Sequence, residues 1–253
     1  IDQHGKRFVD ELKPRDVVAR AIFQKKLDGD HVYLDLRHLG YEKIQELMPQ
    51  ERELAIKFAN IKLEEEPLEV APAAHYSMGG IHTNLNCETN IKNLYAVGEC
   101  ADVKVHGANR LGGNSLLEIV TFGKIAGDQA LIDSDFTVSD TSSQLQEDSL
   151  MIDNILKKDA DENFYDIRKS LAKVMYKDVG LFRDQRGLDE AYDVIVSLQG
   201  KLKQTAPSDK SKIYNKALVD FLQVQNSLEV AKKVVSAAQN RKESLGAHTR
   251  VDS

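Results

Sequence analysis

Ala71-Pro-Ala-Ala-His75-Tyr-Ser-Met-Gly-Gly80-Ile81, Tyr95-Ala-Val-Gly-Glu-Cys100 and His106-Gly-Ala-Asn-Arg110-Leu-Gly-Gly-Asn-Ser115-Leu-Leu-Glu118 divide this chain. Gly, Asn, Ser, His and Arg crowded between apolar segments make poor core material. They suit a backbone that a ligand approaches closely. Before this stretch the sequence alternates helical and extended patterns, and after it the pattern is helical alone.

Working upstream, Arg15 to Leu27 places Val17, Val18, Ala21, Ile22 and Leu27 on one helical stripe behind Pro14. His31 to Leu36 alternates as a short strand, Tyr41 to Phe58 reads as one amphipathic helix, and Leu68 to Ala71 as a short extended segment. The acidic run Glu64 to Glu66, ending at Pro67, reads as a solvated loop. Within the central stretch, Asn93 to Val97 reads as a buried strand running into Gly98-Glu99. Asn114 to Leu131 reads as a helix with a broad apolar face.

Downstream, the Ser-, Thr- and Asp-rich segment from Ile132 to Ser143 is the expected boundary. Residues 144–178 and 187–240 then run at helical period with few glycines, as three or four long helices packed in a bundle. The last stretch, from Asn240 to Arg250, is expected to be a solvated cap. The fold class expected is α+β, a mixed front followed by an α-helical bundle domain.

With 253 residues, 42% of them hydrophobic, the chain can bury a sizeable core in one or two domains. A net charge of −6, spread without a basic and aromatic patch, argues against nucleic-acid binding. No apolar run approaches the roughly 20 residues that cross a bilayer, and the first residues lack a signal-peptide pattern. Contact with a membrane is therefore expected only through partner subunits. Cys87 and Cys100 are too few for a zinc site or an iron–sulfur cluster, and no metal is expected. The chain opens on Ile1 rather than Met and has no Gly-x-Gly-x-x-Gly, so a fragment or processed piece is expected. Ser-His-Asp order, His-Glu-x-x-His and Walker patterns are missing too, which leaves hydrolases and phosphoryl transfer without support.

Six residues carry the candidate chemistry. His75 is either a turn residue or an imidazole that Met78-Gly79-Gly80 leaves facing open space. Arg110, in a glycine-flanked loop, is either a loop-to-loop salt bridge or a planar fork for a carboxylate or phosphate. Ser115 and Leu116 open a helix whose first amides favour an anion, although Asn114 or Ser115 also serves as a plain cap. Glu99 at a strand end can accept from ligand hydroxyls. Arg15, beside Asp16 at a helix start, reads as a surface pair on spacing alone.

His75-Tyr-Ser-Met-Gly-Gly-Ile81, Gly98-Glu-Cys100 and His106-Gly-Ala-Asn-Arg-Leu-Gly-Gly-Asn-Ser-Leu116 together closely resemble the flavoprotein subunits of succinate dehydrogenase and fumarate reductase, and their relative L-aspartate oxidase. Pro14 to Arg20, Val32 to Leu39 and Arg241 to Arg250 extend the resemblance over nearly the whole chain. It implies remnants of capping and FAD-binding domains: 1–72 from a substrate-capping domain, 73–132 from the C-terminal part of an FAD-binding domain, a linker at 133–143 and a helical domain at 144–253. It also implies that His75 and Arg110 hold the carboxylates of a C4 dicarboxylate, that Glu99, Ser115 and Leu116 contact FAD, and that Arg15 transfers the proton. A guanidinium is a poor proton carrier at neutral pH, so elementary chemistry alone makes Arg15 an electrostatic clamp.

The implied reaction is hydride transfer between flavin N5 and a methylene carbon, interconverting succinate and fumarate. The family's dinucleotide glycines and further substrate-binding His and Thr residues have no counterpart here, so the chain alone is expected not to turn over. The implied partner is an iron–sulfur subunit, on the cytoplasmic side of the inner membrane or, as the alternative, the periplasmic side. L-aspartate oxidase is the alternative enzyme, which Met78 and Gly98-Glu-Cys100 disfavour. A non-catalytic module docking an iron–sulfur subunit is the alternative of another class.

Overall fold

A computed structural model describes residues 1–132, 140–159 and 163–252. It forms two compact units, Ile1–Ser77 and Met78–Ser253.

The first unit begins with helix α1 (Arg15–Leu27), where Pro14 occupies the position before the first turn. Proline suits that place because its missing N–H has no intrahelical acceptor there, and Asp16 early and Lys25 and Lys26 late match the helix dipole. Strands β1 (Tyr33–Leu34) and β2 (Leu68–Glu69) pair antiparallel, Tyr33 opposite Glu69. The strand expected over 31–36 is thus shorter. Asp35 accepts from the Arg37 amide at 3.2 Å and its guanidinium at 2.9 Å, turning the chain into a 3-10 segment at Arg37–Leu39. That bonding holds the Asp35 carboxyl down at about 2.

The helix expected over 41–58 is two helices, α2 (Gly40–Leu47) and α3 (Pro49–Ala59). Pro49 forbids one continuous helix, because it lacks an amide hydrogen and pushes Met48 out of helical geometry, to φ −146°. The two helices close over Ile44, Ala55 and Leu63, with Leu36, Met48 and Leu68 against them. Glu64 does not read as the solvated loop residue expected. Arg52 Nε donates to Glu64 Oε2 at 3.0 Å, both side chains being largely buried.

In the second unit, β3 (Ile81–His82) and β4 (Ala101–Asp102) pair in parallel, Ile81 opposite Ala101. The strand expected at 93–97 is instead one arm of a small hairpin. Asn93 turns at φ 64°, the Thr89 amide donates to Leu94 at 3.0 Å, and the Ala96 amide to Cys87 at 3.1 Å. Helix α4 (Asn114–Ile132) follows.

Most of the linker expected at 133–143 lies outside the described residues; Ser142 and Ser143 open α5 (Ser142–Lys157). Then come α6 (Phe164–Asp178), α7 (Gln185–Leu202) and α8 (Lys216–Asn240). Asn163, Asp184 and Asn215 cap the last three, each side-chain oxygen accepting from an amide of the first turn. Leu188, Ala191, Ile195, Leu198 and Leu202 follow helical spacing on α7. They meet Phe221, Val224, Leu228 and Val235 of α8 and Phe164, Ile167 and Leu171 of α6 in one core. This is the helical bundle expected, with Ile155 of α5 at its margin. Among the described residues no helix is long and apolar enough to cross a membrane.

Candidate functional site

Four of the six candidate residues, Glu99, Arg110, Ser115 and Leu116, lie in the second unit; Arg15 and His75 lie in the first. The placement of the four follows from three close approaches within the second unit.

The first approach joins β3 to the turn carrying Glu99. Gly80 has φ 135°, and a methyl group on it would stand 2.8 Å from the Cys100 carbonyl carbon, so only glycine fits. The Ile81 amide donates to the Cys100 carbonyl at 2.8 Å, and the Ala101 amide closes the turn on Gly98 at 2.8 Å. On its other side Gly98, at φ 83°, faces α4, where a methyl group would meet Ile119 Cγ2 at 3.0 Å. Ile119 lies one turn beyond Ser115. The exposed Glu99 is therefore carried to the end of α4 at which Ser115 and the exposed Leu116 sit.

The second joins the Arg110 loop to α4. His106 Nε2 lies 2.6 Å from Glu118 Oε2, and both side chains are withdrawn from solvent. The loop is thus folded back along the first turns of the helix. Arg110, half-buried, donates from Nη1 to the Leu111 carbonyl at 3.0 Å. Gly113, at φ 82°, then turns the chain into α4 and accepts from the Leu116 amide at 3.1 Å. His106 and Glu118 were not singled out by motif or spacing. The available signal was a lone carboxylate among Leu116, Leu117, Ile119 and Val120. In the structure that carboxylate is buried while Leu116 and Val120 are exposed, the reverse of the expected apolar face. Burial first, and then the Glu118 charge, push the neighbouring Cys87 thiol upward.

The third joins the loop to the tail beyond α8. The expected solvated cap is a tight hairpin instead, closed by the Leu245 amide on the His248 carbonyl at 2.9 Å and the reverse bond at 3.1 Å. Arg250 is buried and donates to Asp252 at 2.8 Å and to the Ala238 carbonyl at 3.2 Å. This holds the Asp252 carboxyl well below the usual carboxylate range. Arg183 Nη1 meets His248 Nδ1 at 2.8 Å. Because a guanidinium only donates, Nδ1 accepts, and Nε2 carries the hydrogen that bonds the Arg241 carbonyl at 3.0 Å.

Burial holds the His248 imidazole below its ordinary value, and the Arg183, Arg250 and Arg241 guanidiniums act the same way, against the pull of the Arg241 carbonyl. A depressed folded-state value stabilises above the unfolded one, near pH 6.5, and that stability is lost as pH falls through the folded value. Thermal unfolding of the chain between about pH 7 and pH 5 is expected to show this loss, and His248→Gln to flatten it.

In the first unit, Arg15 is exposed as the first residue of α1, with Asp16 paired to Arg20 at 2.8 Å. His75 is exposed in a segment without regular structure, beside Pro72.

The residues of the second unit fit a flavin nucleotide. Glycines at 80 and 98 leave no side chain over the turn, an exposed carboxylate follows Gly98, and the positive, N-terminal end of α4 lies alongside, where an electron-rich ring or anion is favoured. Among the described residues no cluster of His, Cys, Asp and Glu could hold a metal ion.

Residues 1–116 match the family described as FAD binding domain, and 168–253 the family described as fumarate reductase flavoprotein C-term. The chain is 39% identical to the fumarate reductase flavoprotein subunit of Escherichia coli, over 96% of this chain and 42% of that protein. It is 36% identical to the succinate dehydrogenase flavoprotein subunit of Coxiella burnetii, over 100% of this chain and 48% of that protein. The solved E. coli quinol fumarate reductase superposes with a TM-score of 0.89 at 38% identity, over 94% of this chain and 43% of that one. The chain thus spans less than half the length of these relatives.

Proposed function

Because the chain belongs to the fumarate reductase and succinate dehydrogenase flavoprotein family, we propose that it supplies part of an FAD-dependent site interconverting succinate and fumarate. The observation that carries this is the Arg110 loop, bound back onto α4 by His106 and Glu118 beside the turn that bears Glu99. FAD, when bound, supplies a hydride acceptor and donor at the flavin N5.

This chain's residues do the rest. Arg110 holds one carboxylate, since a dianion withdrawn from water needs fixed donors, and the resemblance gives the same role toward the other carboxylate to His75. Glu99 accepts from cofactor hydroxyls, and Ser115 and Leu116 place the first turn of α4 against the flavin ring. By the resemblance, Arg15 is the proton-transfer residue, its guanidinium giving a proton, in the fumarate-reducing direction, to the carbon next to the one that receives hydride, with solvent restoring it. An iron–sulfur subunit is the proposed electron partner, and attachment to the cytoplasmic face of the inner membrane is through partner subunits.

The test uses the full-length polypeptide loaded with FAD. Anaerobic succinate is expected to bleach the flavin absorbance and fumarate to restore it. Bleaching by aspartate and not by succinate would turn the assignment to L-aspartate oxidase.

A further inference from the structure

We infer that the hairpin Ser244–Arg250 is the positioning element for the Arg110 loop, and that Gly246 is its contact point. The inference rests on Arg110 acting as a carboxylate clamp. Gly246 sits at φ 59°, and a methyl group there would stand 2.7 Å from both the Ala108 carbonyl carbon and Ala108 Cβ, two residues before Arg110. The hairpin therefore lies directly on the loop backbone, with no side chain between.

What lies behind the hairpin is stiff. The Arg183 amide donates to the Thr249 carbonyl at 2.9 Å and the Val251 amide to the Arg183 carbonyl at 3.0 Å, so the tail is laddered to the segment between α6 and α7. The Arg183 guanidinium also bonds the Val179 carbonyl at 3.1 Å, the Gly180 carbonyl at 3.0 Å and His248 at 2.8 Å. The Arg250 amide donates to Ser244 Oγ at 2.9 Å, tying the hairpin's two ends. Glu118 meets the loop at His106 and Gly246 meets it at Ala108, two residues before Arg110.

A bidentate clamp tolerates little displacement, because its hydrogen bonds need both distance and plane. An ångström of misplacement costs about a hundredfold in well-oriented sites. Gly246 and His248 are positioning residues on this account, touching neither substrate nor cofactor.

The experiment uses full-length enzyme with FAD and its partner subunits. KM and kcat are measured for fumarate, together with fumarate Kd by calorimetry on the oxidised form. Gly246→Ala is expected to raise KM and Kd about tenfold to a hundredfold with flavin content unchanged and kcat less affected. His248→Ala, which adds no bulk, moves both in the same direction by less. It decides the matter if Gly246→Ala does not fold. Gly5→Ala, at φ 75° with nothing within 4 Å, carries the backbone strain without the contact and leaves KM unchanged. Unchanged KM and Kd in the Gly246 and His248 variants, or an equal rise in Gly5→Ala, overturns the inference. Unchanged Kd in Arg110→Ala overturns instead the assignment of Arg110 as the clamp.

Discussion

Arg110→Ala in the full-length, FAD-loaded polypeptide is expected to lower kcat/KM for fumarate by about a thousandfold, roughly 4 kcal/mol of transition-state binding. Truncating one partner of a desolvated charge pair leaves the other buried without its counter-charge, which is where most of that energy lies. Arg110→Lys recovers only part of it. An ammonium supplies the charge but not the planar fork, so the substrate is bound without being fixed in plane. Flavin content remains unchanged in both, because the turn at Gly98 and the first turn of α4 are held by Gly80, Ile119 and Glu118 rather than by Arg110. Steady-state kinetics beside a flavin absorbance spectrum checks both halves of the expectation. Loss of flavin together with activity would mean that Arg110 supports the fold and not the substrate.

Ile195→Ala is the substitution expected to cost most in stability, about 4 kcal/mol. Ile195 is completely buried at the middle of α7, between α6 and α8, in the largest apolar cluster of the chain. Removing its outer carbons forfeits transfer energy and leaves a cavity that packed helices on either side cannot close. Urea unfolding of the 253-residue chain, followed by far-ultraviolet dichroism, is expected to show a lower midpoint with the slope unchanged. Val196, a neighbour on the opposite, exposed face of the same helix, is expected to tolerate Ala within about 0.5 kcal/mol.

The helices of the second unit were readable because one period governs them. Leu188, Ala191, Ile195, Leu198 and Leu202 recur at helical spacing, and the cap residues Asn163, Asp184 and Asn215 stand just before each start. The short strands were read less well. His31 to Leu36 and Asn93 to Val97 have strand-like sequences, but Asp35 diverts the first through its bonds to Arg37, and the second folds onto Cys87 and Thr89. Side-chain capping of that kind is local chemistry which apolar alternation does not record.

The candidate residues were proposed from motif and glycine placement, Arg15 from the resemblance alone, and the structure adds how the turn bearing Glu99 and the loop bearing Arg110 are held. Neither Glu118 under His106 nor Gly246 against Ala108 has a local signature. A buried carboxylate looks like any helical Glu in sequence, and a backbone contact involves no side chain to read.

The contact of Gly246 with Ala108 also sets an order of events during synthesis. Gly246 follows Ala108 by about 140 residues, so closing this contact carries the entropy cost of a long loop. At about 5–20 residues per second, the ribosome delivers the Arg110 loop on the order of ten seconds before the hairpin that lies on it. Through that interval the loop has its bond at His106 within reach and lacks the contact at Ala108. If Arg110 clamps substrate as proposed, the clamp reaches its final position only after Gly246 has emerged.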